Sequence, residues 1–177
     1  MQKTIQVQSQ RGDFTLHTAL ASGIGWGWIG GLVATGVMDL ILMGVLSALG
    51  LPAFTCFSIV GDTVARFFSV LGIEMAGGIP LGVAAHYLIG PVVGGTFGIA
   101  SVKVDLLRAE TLKKAILYGV LYVEILSQPI LAATPILLKM TADETLVWFA
   151  GSFGMHLIYG VLLGVIVRCG LRLAKVP

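Results

Sequence analysis

Charged side chains are scarce in this sequence. Asp, Glu, Lys and Arg together make up only 11% of the 177 residues, against about 25% in a typical soluble domain. So few charges cannot cover a water-facing surface, and 56% of the residues are hydrophobic. The composition therefore excludes an ordinary soluble protein and indicates that lipid solvates much of the chain.

Cysteines, basic clusters and catalytic motifs are also missing or few. Cys56 and Cys169 are too few for a disulfide framework, and no run of Lys and Arg is long enough to bind nucleic acid. Residues 1–13 lack the pattern of a cleaved signal peptide, so we expect none. No HExxH motif, phosphate loop or Ser-His-Asp order occurs, and we predict that the protein is not an enzyme.

Long apolar runs dominate what is present. A helix needs about 20 residues to cross the hydrocarbon core of a bilayer, and these runs lack the alternation of a membrane strand. We therefore predict an all-α polytopic protein, with one membrane domain over residues 1–177. The four predicted spans are 27–50, 79–101, 115–138 and 146–168.

Basic residues divide unequally between the two sides that these spans define. Nine of the eleven precede the first span, lie between the second and third, or follow the fourth, which leaves Arg66 and Lys139 for the other side. Loops rich in Lys and Arg remain in the cytoplasm. We therefore expect a cell (inner) membrane protein with cytoplasmic termini. Segment 57–72 has one polar face, formed by Ser58, Asp62, Arg66 and Ser69, and is predicted to be an amphipathic helix on the outer surface.

An HxxxGxxxG motif occurs in both the second and the fourth span. Small residues four apart share a helix face and let helices approach closely, so the chain is predicted to form two similar hairpins of equal orientation. A further small-residue row in the first span, which includes Thr35, ends at Asp39. The predicted packing residues are Gly27, Gly31, Gly90, Gly94, Gly160 and Gly164. With its Gly-rich first span and HxxxG starts, the chain resembles small uncharacterised prokaryotic four-helix membrane proteins, which implies the fold and no activity.

Ionisable side chains lie near the predicted bilayer midplane. A charged side chain there costs about 2.5–3.5 kcal/mol on insertion scales, so these residues need a reason to be present. Gln128 follows Glu124 by one helical turn and is predicted to extend its polar face. The predicted polar centre consists of Asp39, Glu124, His86, His156 and Gln128.

Three interpretations of this centre remain open at the level of sequence. The carboxylates pin helix register by hydrogen bonding, they relay protons or serve transport, or His86 and His156 bind haem or a metal. Glycine-rich faces beyond the needs of a lone bundle favour a membrane subunit of a larger or homo-oligomeric complex. A small proton- or solute-coupled transporter is the alternative, and a haem- or metal-binding electron-transfer subunit is the second alternative.

Overall fold

The computed structural model describes residues 2–108 and 110–176, with side chains from residue 16 onward. Helices make up most of this part of the chain, and it contains no strand. A short 3₁₀ turn, Asp105–Leu107, lies between the third and fourth α-helices. The five α-helices are α1 (Gln2–Ala48), α2 (Thr55–Val70), α3 (Ile79–Lys103), α4 (Leu112–Leu138) and α5 (Ala142–Leu173).

Four of these helices are long and apolar enough to cross a membrane. They are the Leu16–Ala48 part of α1 and the whole of α3, α4 and α5. The prediction of an all-α protein with four spans is confirmed. Helix α1 begins well before the predicted span 27–50, and α5 extends past both ends of the predicted span 146–168. Hydropathy marks only the lipid-crossing part of a helix, whereas the hydrogen bonding of the helix continues into its polar flanks.

The outside of the bundle is apolar. In the most apolar stretch of each candidate span only 22–39% of the residues are buried in the bundle. Leucine, isoleucine and valine side chains cover much of the rest, as at Leu40, Ile125 and Ile136. Contiguous apolar surface on this scale is foreign to soluble monomers and is expected of helices that face lipid.

Glycines with positive φ end the first two helices. Gly50 has a φ of 73° and follows α1, and Gly72 has a φ of 81° and follows α2. In both turns the next residue donates a backbone hydrogen bond back to the last helical turn, from Leu51 to Leu46 and from Ile73 to Phe68. This Schellman arrangement satisfies terminal carbonyls without a side chain in the left-handed region.

Two prolines lie inside α4 without breaking it. Proline has no backbone N–H, so Pro135 deprives the carbonyl of Leu131 of its helical donor. The indole Nε1–H of Trp148 on α5 donates to that carbonyl at 3.1 Å. The indole group of Trp148 thus replaces the missing backbone donor.

Helices α1 and α3 touch through glycine along their common length. At each contact a methyl group on one glycine would overlap the backbone of the other helix. The residue numbers of each pair have the same sum, which is the signature of an antiparallel register. The pairs are Gly23 with Gly98, Gly27 with Gly94, and Gly31 with Gly90.

Helices α4 and α5 make a second contact of the same kind. Gly119 lies against the backbone of Gly160, and Gly164 lies against the backbone of Ala115. Larger side chains join α1 to α5, where the ring of Trp26 covers Gly170. The bundle core lies between these two pairs of helices and includes Ala34, Met38, Phe97, Val123, Tyr159, Leu163 and Val167.

Helix α2 packs on α3 and, less extensively, on α4. Its Gly61 meets the backbone of Gly78, and its Phe57 carbonyl meets Gly82. A weak 3.3 Å hydrogen bond runs from Thr63 to Thr134 on α4. Helix α2 therefore lies against the beginning of α3 and the end of α4. The connection between these two helices is at the opposite end of the bundle.

Alanine substitutions at two glycines test whether these backbone contacts stabilise the fold. A methyl group at Gly94 would overlap Gly27 and Gly31, so Gly94→Ala should lower the unfolding free energy by about 1–3 kcal/mol. Gly44, in the interior of α1, has nothing within 4 Å of the added methyl. Gly44→Ala should stabilise the protein by up to about 1 kcal/mol through helix propensity. Denaturant unfolding in detergent measures both, and equal effects would contradict the glycine contact.

Candidate functional site

A carboxylate and an imidazole meet in the middle of the bundle. Asp39 on α1 is 3% exposed, and its Oδ1 lies 3.0 Å from Nδ1 of His86 on α3. When Nδ1 carries the proton, the imidazole donates this hydrogen bond to the carboxylate. No other described polar atom lies within hydrogen-bond distance of the buried Oδ2 of Asp39.

The glycine register of α1 and α3 brings this pair together. One turn past the contact of Gly31 with Gly90, this register places Thr35 opposite His86. Two turns past that contact, it places Asp39 opposite Gly82. Side chains on a helix tilt toward its N-terminus. In an antiparallel pair Asp39 therefore leans back toward the level of Thr35, His86 leans toward the level of Gly82, and the two meet between.

His86 occupies the middle of one row on α3, with small residues four apart on both sides. The row is Gly78, Gly82, His86, Gly90, Gly94 and Gly98. Its second half packs on α1, whereas Gly78 and Gly82 pack on α2. His86 thus lies where α3 passes from one partner helix to the other, and the imidazole fits into the space between them.

Helix α2 covers the pair from one side. The ring of Phe57 stands edge-on to the imidazole of His86, with centroids 5.3 Å apart and planes at 65°. Cys56, next in sequence, is close enough to Asp39 to interact with its charge. Burial and that carboxylate raise the pKa of the Cys56 thiol to about 12, so the group is a neutral thiol at physiological pH.

Tyr159 ties α5 to the same region. Its buried hydroxyl donates a 2.6 Å hydrogen bond to the carbonyl of Gly90, one turn beyond His86. The hydroxyl of Thr35, which lies against Gly90, is buried and has no hydrogen-bond partner among the described residues. The sequence analysis did not select Tyr159, although it is next to Gly160 of the second motif.

His156 and Glu124 lie on the other pair of helices. The register of α4 and α5 sets His156 opposite Val123, the neighbour of Glu124. His156 is within electrostatic range of His86. Its Nδ1 and both carboxylate oxygens of Glu124 are buried, and none has a hydrogen-bond partner in the part of the chain that the structure describes.

The other polar residues of α4 do not complete this group. Ser127 donates to the backbone carbonyl of Glu124 at 3.1 Å and not to its carboxylate. Gln128 is exposed on the outer face of α4. The structure therefore places Asp39, Glu124, His86 and His156 inside the bundle and leaves Gln128 outside it.

The two motifs are equivalent in packing, whereas the two acids are not. One turn after each histidine comes a glycine that packs on the opposite helix. Gly90 follows His86 and packs on Gly31, and Gly160 follows His156 and packs on Gly119. Asp39 follows Gly31 by eight residues, but Glu124 follows Gly119 by five. Asp39 therefore reaches its histidine along the contact line, and Glu124 lies off that line.

Metal-ligand geometry is not found at this centre. Among the described residues no three His, Cys, Asp or Glu side chains come together in a group that could hold a metal ion. Nδ1 of His86 is hydrogen-bonded to Asp39, which leaves Nε2 without a described partner. The pair that the structure shows, an imidazole bonded to a carboxylate, has groups that can exchange a proton.

Comparison with protein-family models finds no match for this chain. Comparisons with curated proteins and with solved structures likewise find none.

Alkylation of Cys56 tests its burial near Asp39. With a pKa of about 12, the thiolate fraction should rise about tenfold per pH unit through pH 10, whereas an ordinary cysteine with a pKa of about 8.5 levels off near pH 9.5. The measurement is the rate of iodoacetamide modification of the Cys169→Ser protein in detergent. Asp39→Asn should increase the rate at a given pH, and a plateau below pH 10 would contradict this placement of Cys56.

Proposed function

We propose that this protein is a small integral membrane transporter that moves protons, or a solute coupled to protons, through its polar centre. The observation that carries this proposal is the hydrogen-bonded Asp39–His86 pair, buried between helices whose outer faces are apolar. Ionisable residues at membrane depth are costly and mark ion and proton pathways.

The pair has the chemistry that a relay needs. A carboxylate and an imidazole can each hold a proton, and the hydrogen bond between them lets one pass to the other. Nδ1 of the imidazole bonds Asp39, which leaves Nε2 to exchange a proton with water or with another group of the proposed path. His156 lies within electrostatic range of His86.

Partnerless buried atoms extend the proposed path. Asp39 Oδ2, Thr35 Oγ1, His156 Nδ1 and both oxygens of Glu124 are shielded from solvent without a described partner. Buried polar groups in proteins are nearly always hydrogen-bonded, often to internal water. We propose that water joins these groups, so that a proton crosses from Asp39–His86 toward His156 and Glu124.

Assembly into a larger or homo-oligomeric complex is a second candidate. The glycine rows that favoured it in the sequence pack mainly within the chain, which weakens that argument. Gly25, Gly44, Gly151 and Gly154 still have open space beside them in the spans. These positions support close approach of another helix, and crosslinking of the detergent-purified protein tests whether copies associate.

The proposed arrangement in the membrane is two hairpins, α1 with α3 and α4 with α5, and α2 packed on the bundle at its outer end. The nine-to-two division of basic residues supports cytoplasmic termini in a cell (inner) membrane. Membrane-impermeant thiol reagents in intact cells should then modify a cysteine placed at Asp143 and spare one placed at Lys113. Modification of the cysteine placed at Lys113 would contradict the proposed orientation.

Proton flux into liposomes tests the proposed function. Reconstituted protein should carry protons down an imposed membrane potential, reported by an internal pH dye, and Asp39→Asn should lower that flux at least about tenfold because the amide accepts no proton. If protons move only with a solute, the flux should appear when the solutes of a cell extract are supplied.

The exposed carboxylate of Asp105 provides the matched control. It lies in the connection between α3 and α4, outside the polar centre, so Asp105→Asn should leave the flux unchanged. Flux at the level of protein-free liposomes under both conditions, or parental flux in Asp39→Asn, would exclude the relay.

A further inference from the structure

A second polar site lies at the end of the bundle that carries α2. A cleft of about 410 Å³ opens between α2, the 71–78 connection and the end of α4. This volume is within the lower range of small-molecule pockets. The charged groups of the cleft are Asp62, Arg66 and Glu74, none of which belongs to the Asp39–His86 centre.

Both carboxylates of the cleft are held in place by neighbours. Oδ1 of Asp62 accepts a 2.8 Å hydrogen bond from the backbone N–H of Gly78. Oε1 of Glu74 accepts a 3.0 Å hydrogen bond from the hydroxyl of Ser69. A methyl group at Gly77 would overlap the Asp62 carboxylate, so a glycine there lets the carboxylate lie directly against the 71–78 connection. Each carboxylate retains a further oxygen for a ligand.

Arg66 is unpaired although it shares the cleft with two carboxylates. Guanidinium groups near carboxylates usually form bidentate ion pairs, and the spacing of Asp62 and Arg66, four residues apart on α2, favours one. Yet no ion pair joins the exposed guanidinium of Arg66 to another side chain in the described part of the chain. The cleft thus presents one free cation and two fixed anions across an open space.

We propose that this cleft binds a small zwitterion, a molecule whose carboxylate carbon or phosphate phosphorus lies two to four bonds from a primary ammonium nitrogen. The anionic group pairs with Arg66, and the ammonium lies between Glu74 and Asp62. An anion alone would be repelled by the two carboxylates, and a cation alone would leave Arg66 unpaired. The proposal is independent of proton transfer at the Asp39–His86 centre.

Two sources supply this chemistry, a free amino acid and the ethanolamine headgroup of a phospholipid. The experiment is calorimetric titration of the detergent-purified full chain with L-alanine and with glycerophosphoethanolamine. Propionate and ethylammonium carry the two halves of alanine separately, and each should bind at least about tenfold more weakly than the zwitterion. Binding of alanine alone identifies a free solute, and binding of the phosphodiester alone identifies a headgroup.

Charge-neutralising variants show whether the cleft is the site. Arg66→Gln and Glu74→Gln each remove a charge-assisted hydrogen bond and should weaken zwitterion binding about tenfold or more. Lys139→Gln removes a cation at the same end of the bundle that does not line the cleft, and binding should be unchanged. A thermal melt of each variant confirms that it is folded.

Several results would overturn the proposal. One is that neither zwitterion binds at millimolar concentration. Another is that propionate or ethylammonium binds as tightly as alanine. A third is that the two cleft variants bind the zwitterion as tightly as Lys139→Gln does. The Asp39→Asn protein should bind the zwitterion like the parent. Its loss of proton flux with retained binding separates failure of the relay from failure of this site.

Discussion

Backbone contact along the glycine row of α3 is the constraint on which the rest of the structure depends. Because glycine has no side chain, α3 lies directly against α1 through Gly90, Gly94 and Gly98, and against α2 through Gly78 and Gly82. At such short distances the register of the helices has little freedom. His86 interrupts the row at the point where the partner helix changes, and Asp39 reaches it there. The position of the polar pair is thus a consequence of glycine packing one to three turns away along α3.

Burial makes this pair expensive, and its hydrogen bond offsets part of the cost. A lone charged group at the bilayer centre costs about 2.5–3.5 kcal/mol on insertion scales, and an unsatisfied buried polar group costs about 1–3 kcal/mol. Asp39 and His86 satisfy one another, yet Asp39 Oδ2 and the polar atoms of Glu124 and His156 remain without described partners. The proton path proposed above uses these atoms, with internal water as their partner.

Most of the fold follows from the sequence, whereas the relation between the two halves does not. Apolar runs and the four-residue spacing of glycines predict four helices and place Asp39 and His86 in rows that face protein, because small-residue rows pack against helices. Which helix each row meets depends on the tertiary register, so the division of the α3 row between α1 and α2 was not predictable. The same limit explains why the role of Tyr159 was not predicted, because its partner is a backbone carbonyl on another helix. It also explains why Gln128, predicted to extend the polar face of Glu124, lies instead on the exposed side of α4.

Infrared spectroscopy of the carboxyl groups in lipid bilayers tests the central claim most directly, namely that the Asp39 carboxyl group is hydrogen-bonded to His86 inside the bundle. The bands of this group are those that disappear from the spectrum of the Asp39→Asn protein. Their frequency should shift when His86 is replaced by Ala, because the imidazole bonds that carboxyl group at 3.0 Å. Asp39 bands at the same frequency in the parent and in the His86→Ala protein would contradict the account.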